Sequence, residues 1–297
     1  MSKPEQGRIQ IVEDGLRRIL APNPGPMTYW GTNTFIVGEG NVAIVDPGPD
    51  RADHLDAILA SIAGETVSHI LVTHAHLDHS PLARQLSERT GAPILGFGPP
   101  EAGRTPTMRT LAERGHAGGG EGVDRAFAPH NTLGHGDDVS GDGWRLTALH
   151  TPGHFAGHLS FVFRDAVISG DHVMDWSSSL VSPPDGDLRA FMNTSRLLRD
   201  AGHRRLYPAH GDSINDPAER LGWLIAHRES RETDILNALT STPRPIARIA
   251  VEVYADIPSE MLPAAERNVF AHLVDLHDRG IVRATPLLSA TAGFSLI

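Results

Sequence analysis

The chain has 297 residues, 40% of them apolar, and 26 Lys and Arg stand against 36 Asp and Glu for a net charge of −10. That balance argues against a dedicated duplex-DNA binder, which needs clustered cations for phosphate, and 30 Gly and 22 Pro fall short of disordered or collagenous compositions. With no cysteine, disulfides, thiolate catalysis and Cys-ligated metal sites are excluded, so any metal would be held by carboxylates and by some of the 17 His.

The length suggests one large domain, or one large and one small. No run approaches the 18 or so apolar residues of a membrane span, and the first turns of sequence carry Lys3, Glu5, Arg8, Glu13 and Asp14 instead of a signal-peptide apolar region. A cytoplasmic location and no membrane partner are expected.

In chain order, Arg17 to Leu20, Thr34 to Val37 and Val42 to Val45 read as strands separated by Gly and Pro turns. Leu55, Ile58, Leu59 and Ile62 have the spacing of an amphipathic helix over Asp53 to Ala63. A buried strand at Ile70 to Val72 leads into a His-rich loop, then a helix with Pro81 at its start and Leu82 and Leu86 on one face, then a strand at Pro93 to Leu95. Gly98 to Gly143 shows no sustained period and reads as a surface excursion around a short helix at Thr107 to Arg114. Strands resume at Trp144 to Leu149, Leu159 to Phe163 and Ala166 to Ile168. A helix over Asp187 to Ala201 precedes a strand at Arg205 to Tyr207. Helical pattern then runs to Thr240, a break falls at Pro243 to Pro245, two further helical segments reach Arg279, and a strand-like tail follows. The change of character divides the chain into residues 1–220 and 221–297.

Thr73-His74-Ala75-His76-Leu77-Asp78-His79 puts three imidazoles and a carboxylate on one loop directly after a buried strand. Residues one or two apart on a tight loop point in different directions, which suits two adjacent ions better than one. Three more segments begin where strands end: Thr151-Pro152-Gly153-His154, Ser169-Gly170-Asp171-His172 and Tyr207-Pro208-Ala209-His210-Gly211. In layered α/β proteins, ligand sites collect at those ends.

These motifs resemble the metallo-β-lactamase superfamily over residues 15 to 215. The resemblance implies an α/β fold, the four-layer αββα sandwich, with a dinuclear site at one edge of its sheets. It implies that His74, His76 and His154 bind a first metal, that Asp78, His79 and His210 bind a second, and that Asp171 bridges them. Asp46, in Val45-Asp46-Pro47-Gly48, is implied to orient the His loop without binding metal. Five neutral imidazoles and two carboxylates leave a pair of 2+ ions with net charge +2, and such a pair lowers the pKa of a shared water toward about 7. A dinuclear, zinc-dependent hydrolase of esters or thioesters follows as the expectation, a metal-bridging hydroxide its nucleophile, with Asp78 also steering a proton. A single iron, as in persulfide dioxygenases of this fold, uses only part of the set. The absence of cysteine departs from the true β-lactamases.

Asn23-Pro24-Gly25-Pro26-Met27 with Gly31-Thr32-Asn33-Thr34-Phe35, and Pro263-Ala264-Ala265-Glu266-Arg267-Asn268-Val269, are similar to the lactamase-like branch that has a C-terminal winged helix. That branch holds a single-strand endoribonuclease and thioesterases releasing polyketide acids from carrier proteins. The implied alternative is therefore a metal-dependent endoribonuclease. Against it, Leu262 to Gly280 carries Glu266, Asp275 and Asp278 against Arg267 and Arg279, too little cation for tight nucleic-acid binding. The extension is expected to wall the pocket or form a homodimer contact, leaving a small-molecule ester or thioester as partner. His158 and His172, beside implied ligands, are candidates either to bind substrate or, the favoured reading, to support the ligands and the structure around them. His69, His116, His130, His135, His150, His203, His227, His272 and His277 are expected on the surface or in loops. Trp30 and Trp176, which flank motif loops, are expected either to pack in an aromatic core, the favoured reading, or to line an apolar pocket.

Overall fold

The structure, a computed structural model, describes residues 4–120 and 122–297; Lys3 lies outside them. Four strands open the chain as an antiparallel meander: β1 (Ile9–Glu13), β2 (Leu16–Leu20), β3 (Asn33–Glu39) and β4 (Asn41–Val45). Helix α1 (Ala52–Ser61) then crosses to β5 (Thr66–Leu71), which lies parallel to β4, and α2 (Leu82–Thr90) crosses to β6 (Ile94–Gly96). After α3 (Pro106–Glu113), β7 (Asn131–Thr132) completes a seven-stranded sheet in sequential order.

The second sheet takes β8 (Asp138–Gly141), β9 (Trp144–His150), β10 (Leu159–Phe163) and β11 (Ala166–Gly170) as antiparallel neighbours. Helix α4 (Leu188–Asp200) then returns the chain to β12 (Arg205–Pro208), parallel to β11. Alternation along each strand builds the layers. Phe35 and Val37 of β3 meet Leu146, Phe161 and Ile168 between the sheets, whereas Ile36 points outward to the core under α1 and α2. On the other outer face, Val167 and Leu206 pack with Leu198 of α4. Helices outside two facing sheets make the αββα sandwich.

The C-terminal body is α5 (Pro217–Ala238), β13 (Arg244–Pro245), α6 (Ile246–Val253), a 3-10 turn at Ser259–Met261, α7 (Leu262–Asp278), β14 (Val282–Thr285) and β15 (Gly293–Leu296). Helix, strand, two helices and a hairpin is the winged-helix order. Ile235, Ile249, Phe270, Leu273 and Phe294 form its core. No helix among the described residues is long and apolar enough to cross a membrane.

Four expectations need revision. The excursion after Gly98 is only partly superficial, because β7 and β8 are edge strands of the two sheets, Met108 and Leu111 of α3 enter the winged-helix core, and Phe127 enters the core under α2. Strand β5 starts at Thr66, four residues earlier than expected. The division at residue 220 falls inside α5, which gives Leu221 to the sheet side and Ile235 to the winged helix. His272 is not at the surface: it is 1% exposed within α7, and both its ring nitrogens lack partners among the described residues.

Candidate metal centre

Strands β4, β5, β9, β11 and β12 all finish at one edge of the sandwich, and each hands over to a loop bearing one of the expected site residues. At the end of β4 the backbone turns through a left-handed Asp46, φ 51°, an arrangement that short polar side chains tolerate. Its Oδ1 accepts from the Thr73 N–H at 2.7 Å, and its Oδ2 accepts from Thr73 Oγ1 at 2.7 Å and lies 2.9 Å from His79 Nδ1. One buried carboxylate thus fixes both ends of the His loop.

Two groups of ligand atoms result, each with all members within 4.8 Å of one another: His74, His76, His154 and Asp171 in one, Asp78, His79 and His210 in the other. In the first, His76 Nδ1 is 2.9 Å from His74 Nε2 and 3.2 Å from His154 Nε2. Asp171 Oδ2 stands 3.7 Å from His154 Nε2. In the second, Asp78 Oδ2 is 3.3 Å from His79 Nε2 and 3.2 Å from His210 Nε2. Asp171 Oδ1 lies 3.3 Å from the same His210 nitrogen.

Burial pushes His76 down to about 3 and His74 well below its ordinary value, with neighbouring imidazoles adding to the effect. Both are neutral at pH 7, with lone pairs free to coordinate. In the second group burial is outweighed: Asp171 and Asp78 raise His210 to about 10, and Asp78, Asp171 and Asp46 raise His79. Asp78 and Asp171 are conversely held well below the carboxylate range, burial notwithstanding, by His79 and His210. His79 Nε2 and Asp171 Oδ1 are buried with no hydrogen-bond partner among the described residues. Orphaned donors of this kind, facing one another in a nitrogen and oxygen set without sulfur, fit divalent cations.

Besides His79, held by Asp46, three of the imidazoles are aimed by a second contact. Thr73 Oγ1 lies 3.0 Å from His74 Nδ1, the Leu180 carbonyl 2.6 Å from His154 Nδ1, and the Gly31 carbonyl 3.1 Å from His210 Nδ1. Asn33 Nδ2 donates to the carbonyls of Pro208 and Gly211, holding the turn around His210. The Gly31–Asn33 part of the N-terminal motif therefore serves the site, and that motif was the only sequence signal of it.

His158 and His172 do not reach solvent; both are 0% exposed. His158 Nε2 accepts from the Asp171 N–H at 3.1 Å while its Nδ1 lies 2.8 Å from Thr151 Oγ1, the supporting role that was one of its two expected readings. His172 Nε2 lies 3.1 Å from Ser195 Oγ of α4. Gly170, φ 52°, is required there, since a Cβ would stand 2.5 Å from His158 Nε2. Trp30 and Trp176 are not in the core. They are half-buried, and Tyr29, 39% exposed, is sandwiched between them with centroids 4.8 and 4.7 Å away. Trp176 adjoins Gly211, one residue from His210.

A His and Asp cluster at the strand-end edge of an αββα sandwich defines a hydrolase class with a candidate metal-binding site. The chain belongs to the metallo-β-lactamase superfamily: residues 27–210 match the family described as Metallo-beta-lactamase superfamily, and residues 246–287 match the Beta-lactamase associated winged helix domain. It is 30% identical over 281 residues to the Beta-lactamase-like protein 2 homolog of Caenorhabditis elegans, covering 92% of this chain and 88% of that one. It is 27% identical to the Atrochrysone carboxyl ACP thioesterase of Aspergillus fumigatus, covering 92% and 80%. A beta-lactamase domain protein from Burkholderia ambifaria shares the fold with a TM-score of 0.82 at 21% identity, covering 100% of this chain and 95% of that one.

Proposed function

We propose that the protein is a dinuclear, zinc-dependent hydrolase of a small-molecule ester or thioester. The observation that carries this reading is the position of Asp171, whose Oδ2 faces His154 and whose Oδ1 faces His210, so that one carboxylate serves both ligand groups. His74, His76 and His154 would hold one ion, Asp78, His79 and His210 the other, and Asp171 both. When bound, the ions supply Lewis acidity for a carbonyl and lower the pKa of a water held between them.

The chain's own residues set the rest. Asp78, with 27% of its side chain exposed, is placed to take the proton released as water attacks. The Tyr29 stack, which reaches Gly211 beside His210 through Trp176, gives an apolar rim suited to an acyl group. Support for a thioester comes from the Aspergillus relative, named as a thioesterase. RNA has less support, since Arg267 of α7 is bonded to Ser182 Oγ and to the carbonyls of Ala117 and Pro183, away from any incoming phosphate.

The test is elemental analysis of the purified protein followed by assays on acyl thioesters, esters and single-stranded RNA. Two zinc ions per chain with thioester or ester turnover, lost in His76→Ala and Asp171→Ala, is the expected result. RNA cleavage without acyl hydrolysis by the two-ion protein would replace it.

A further inference from the structure

His154 is aimed by a carbonyl from the long loop between β11 and α4, and that loop is held from outside the sandwich. The Leu180 carbonyl, 2.6 Å from His154 Nδ1, fixes the tautomer that leaves Nε2 free toward His76 and Asp171. Every residue flanking Leu180 is tied to α5 or α7. Asn268 Oδ1 accepts from the Val181 N–H at 3.2 Å and from Arg228 Nη1 at 3.0 Å. Arg228 Nη2 donates to the Ser179 carbonyl, Arg267 Nε donates to Ser182 Oγ at 2.8 Å, and Arg267 Nη2 donates to the Pro183 carbonyl.

The Arg228 guanidinium is 1% exposed, and no carboxylate pairs with it among the described residues; it lies over the Phe191 ring at 5.4 Å. A buried cation compensated only by carbonyl dipoles is costly to keep. Its bonds go to Asn268 and to the residue before Leu180, so the cost maintains the shape of this loop. Arg267 and Asn268 also belong to the Pro263–Val269 motif, whose place in the site is otherwise unexplained.

We infer that Arg228, Arg267 and Asn268 are positioning residues, clamping residues 179–183 so that the Leu180 carbonyl presents His154 to its ion. The winged helix thereby sets the affinity of one of the two metal positions. This rests on the proposal that His154 is a ligand, and the experiment separates the two ideas.

Metal-stripped full-length protein is titrated with zinc against a competing chelator. Asn268→Leu removes the shared acceptor at similar volume, and Asn268→Asp restores it. One site should weaken about 10- to 100-fold in Asn268→Leu, recover in Asn268→Asp, and be the site that His154→Ala abolishes, the other staying unchanged. Wild-type affinity at both sites in Asn268→Leu, while His154→Ala loses one, would overturn the clamp. Two intact sites in His154→Ala would overturn the ligand assignment itself. Should Asn268→Leu lose its fold by circular dichroism, Ser182→Ala, which releases only the Arg267 bond, is titrated instead. It should weaken the same site several-fold, and unchanged binding would overturn the clamp.

Discussion

Asp46 Oδ2 and His79 Nδ1 lie 2.9 Å apart in a site where both side chains are closed to solvent, and the same oxygen holds Thr73, the residue before His74. The carboxylate makes His79 a better donor through Nε2 and fixes its ring plane. Asp46→Asn keeps the volume and loses the charge. Zinc affinity should fall about 10- to 100-fold, measured by chelator competition, with secondary structure retained. Unchanged affinity would show that the loop holds its shape without this carboxylate.

Metal uptake should release protons unequally. In the metal-free protein His210 is raised to about 10 and His79 is raised as well, so both carry a proton at pH 7 that an ion must displace, whereas His74 and His76 are already neutral. Filling the Asp78, His79 and His210 group at pH 7 should release about two protons, and its affinity should fall roughly 100-fold per pH unit on acidification. Titration calorimetry in buffers of different ionisation heat reads this directly. Equal proton release from both groups would contradict it.

Acid sensitivity should have a source away from the metals. Burial lowers His54 to about 4, where its Nε2 lies 2.9 Å from Thr34 Oγ1 and its Nδ1 has no partner among the described residues. A histidine whose folded value lies below its unfolded value binds protons better when unfolded, so its stability contribution is complete above about pH 6.5 and is lost toward pH 4. The loss is about 3 kcal/mol by pH 4. Denaturant unfolding of His54→Gln should be less steep with pH over that window, although less stable at pH 7. An identical pH slope in the variant would refute the assignment.

Gly170→Ala should damage both fold and site. At φ 52° a methyl group is strained, and it would stand 2.5 Å from His158 Nε2, the atom holding the Asp171 peptide. A loss of about 2 kcal/mol or more is expected from unfolding curves, together with reduced zinc content. Retention of two ions at full stability would mean that β11 can shift freely at its end.

The seven expected ligand positions were legible because each sits in a short motif at a strand end, where chemistry and chain direction coincide. What aims them was mostly hidden. Leu180 acts through its carbonyl oxygen, a group every residue possesses, so no side-chain pattern marks it, and Gly31, which acts in the same way, was signalled only by the motif around it. For His158 and His172 the sequence left open whether the rings meet substrate or hold the ligand loops, because proximity in sequence to a ligand says nothing about which face of the turn a ring takes. For Trp30 and Trp176 the favoured core reading failed and the pocket-lining one remained, because an aromatic ring has the same composition signature in a core and at a rim. Helical periodicity ran unbroken through α5, and nothing in it records that the helix changes neighbours halfway along.

That change of neighbours has a mechanical meaning. Pro217–Ala238 is 22 residues, a rod of about 33 Å, with Leu221 seated on the sandwich and Ile235 in the winged helix. Loss of the chain from Pro217 onward would strip Leu221 from its cluster with Val167, Leu198 and Leu206, and a cut near Arg228 would sever both cores from their shared spine. The two bodies should therefore melt in one transition, and a relative could shed the C-terminal extension only by rebuilding the outer wall of its second sheet.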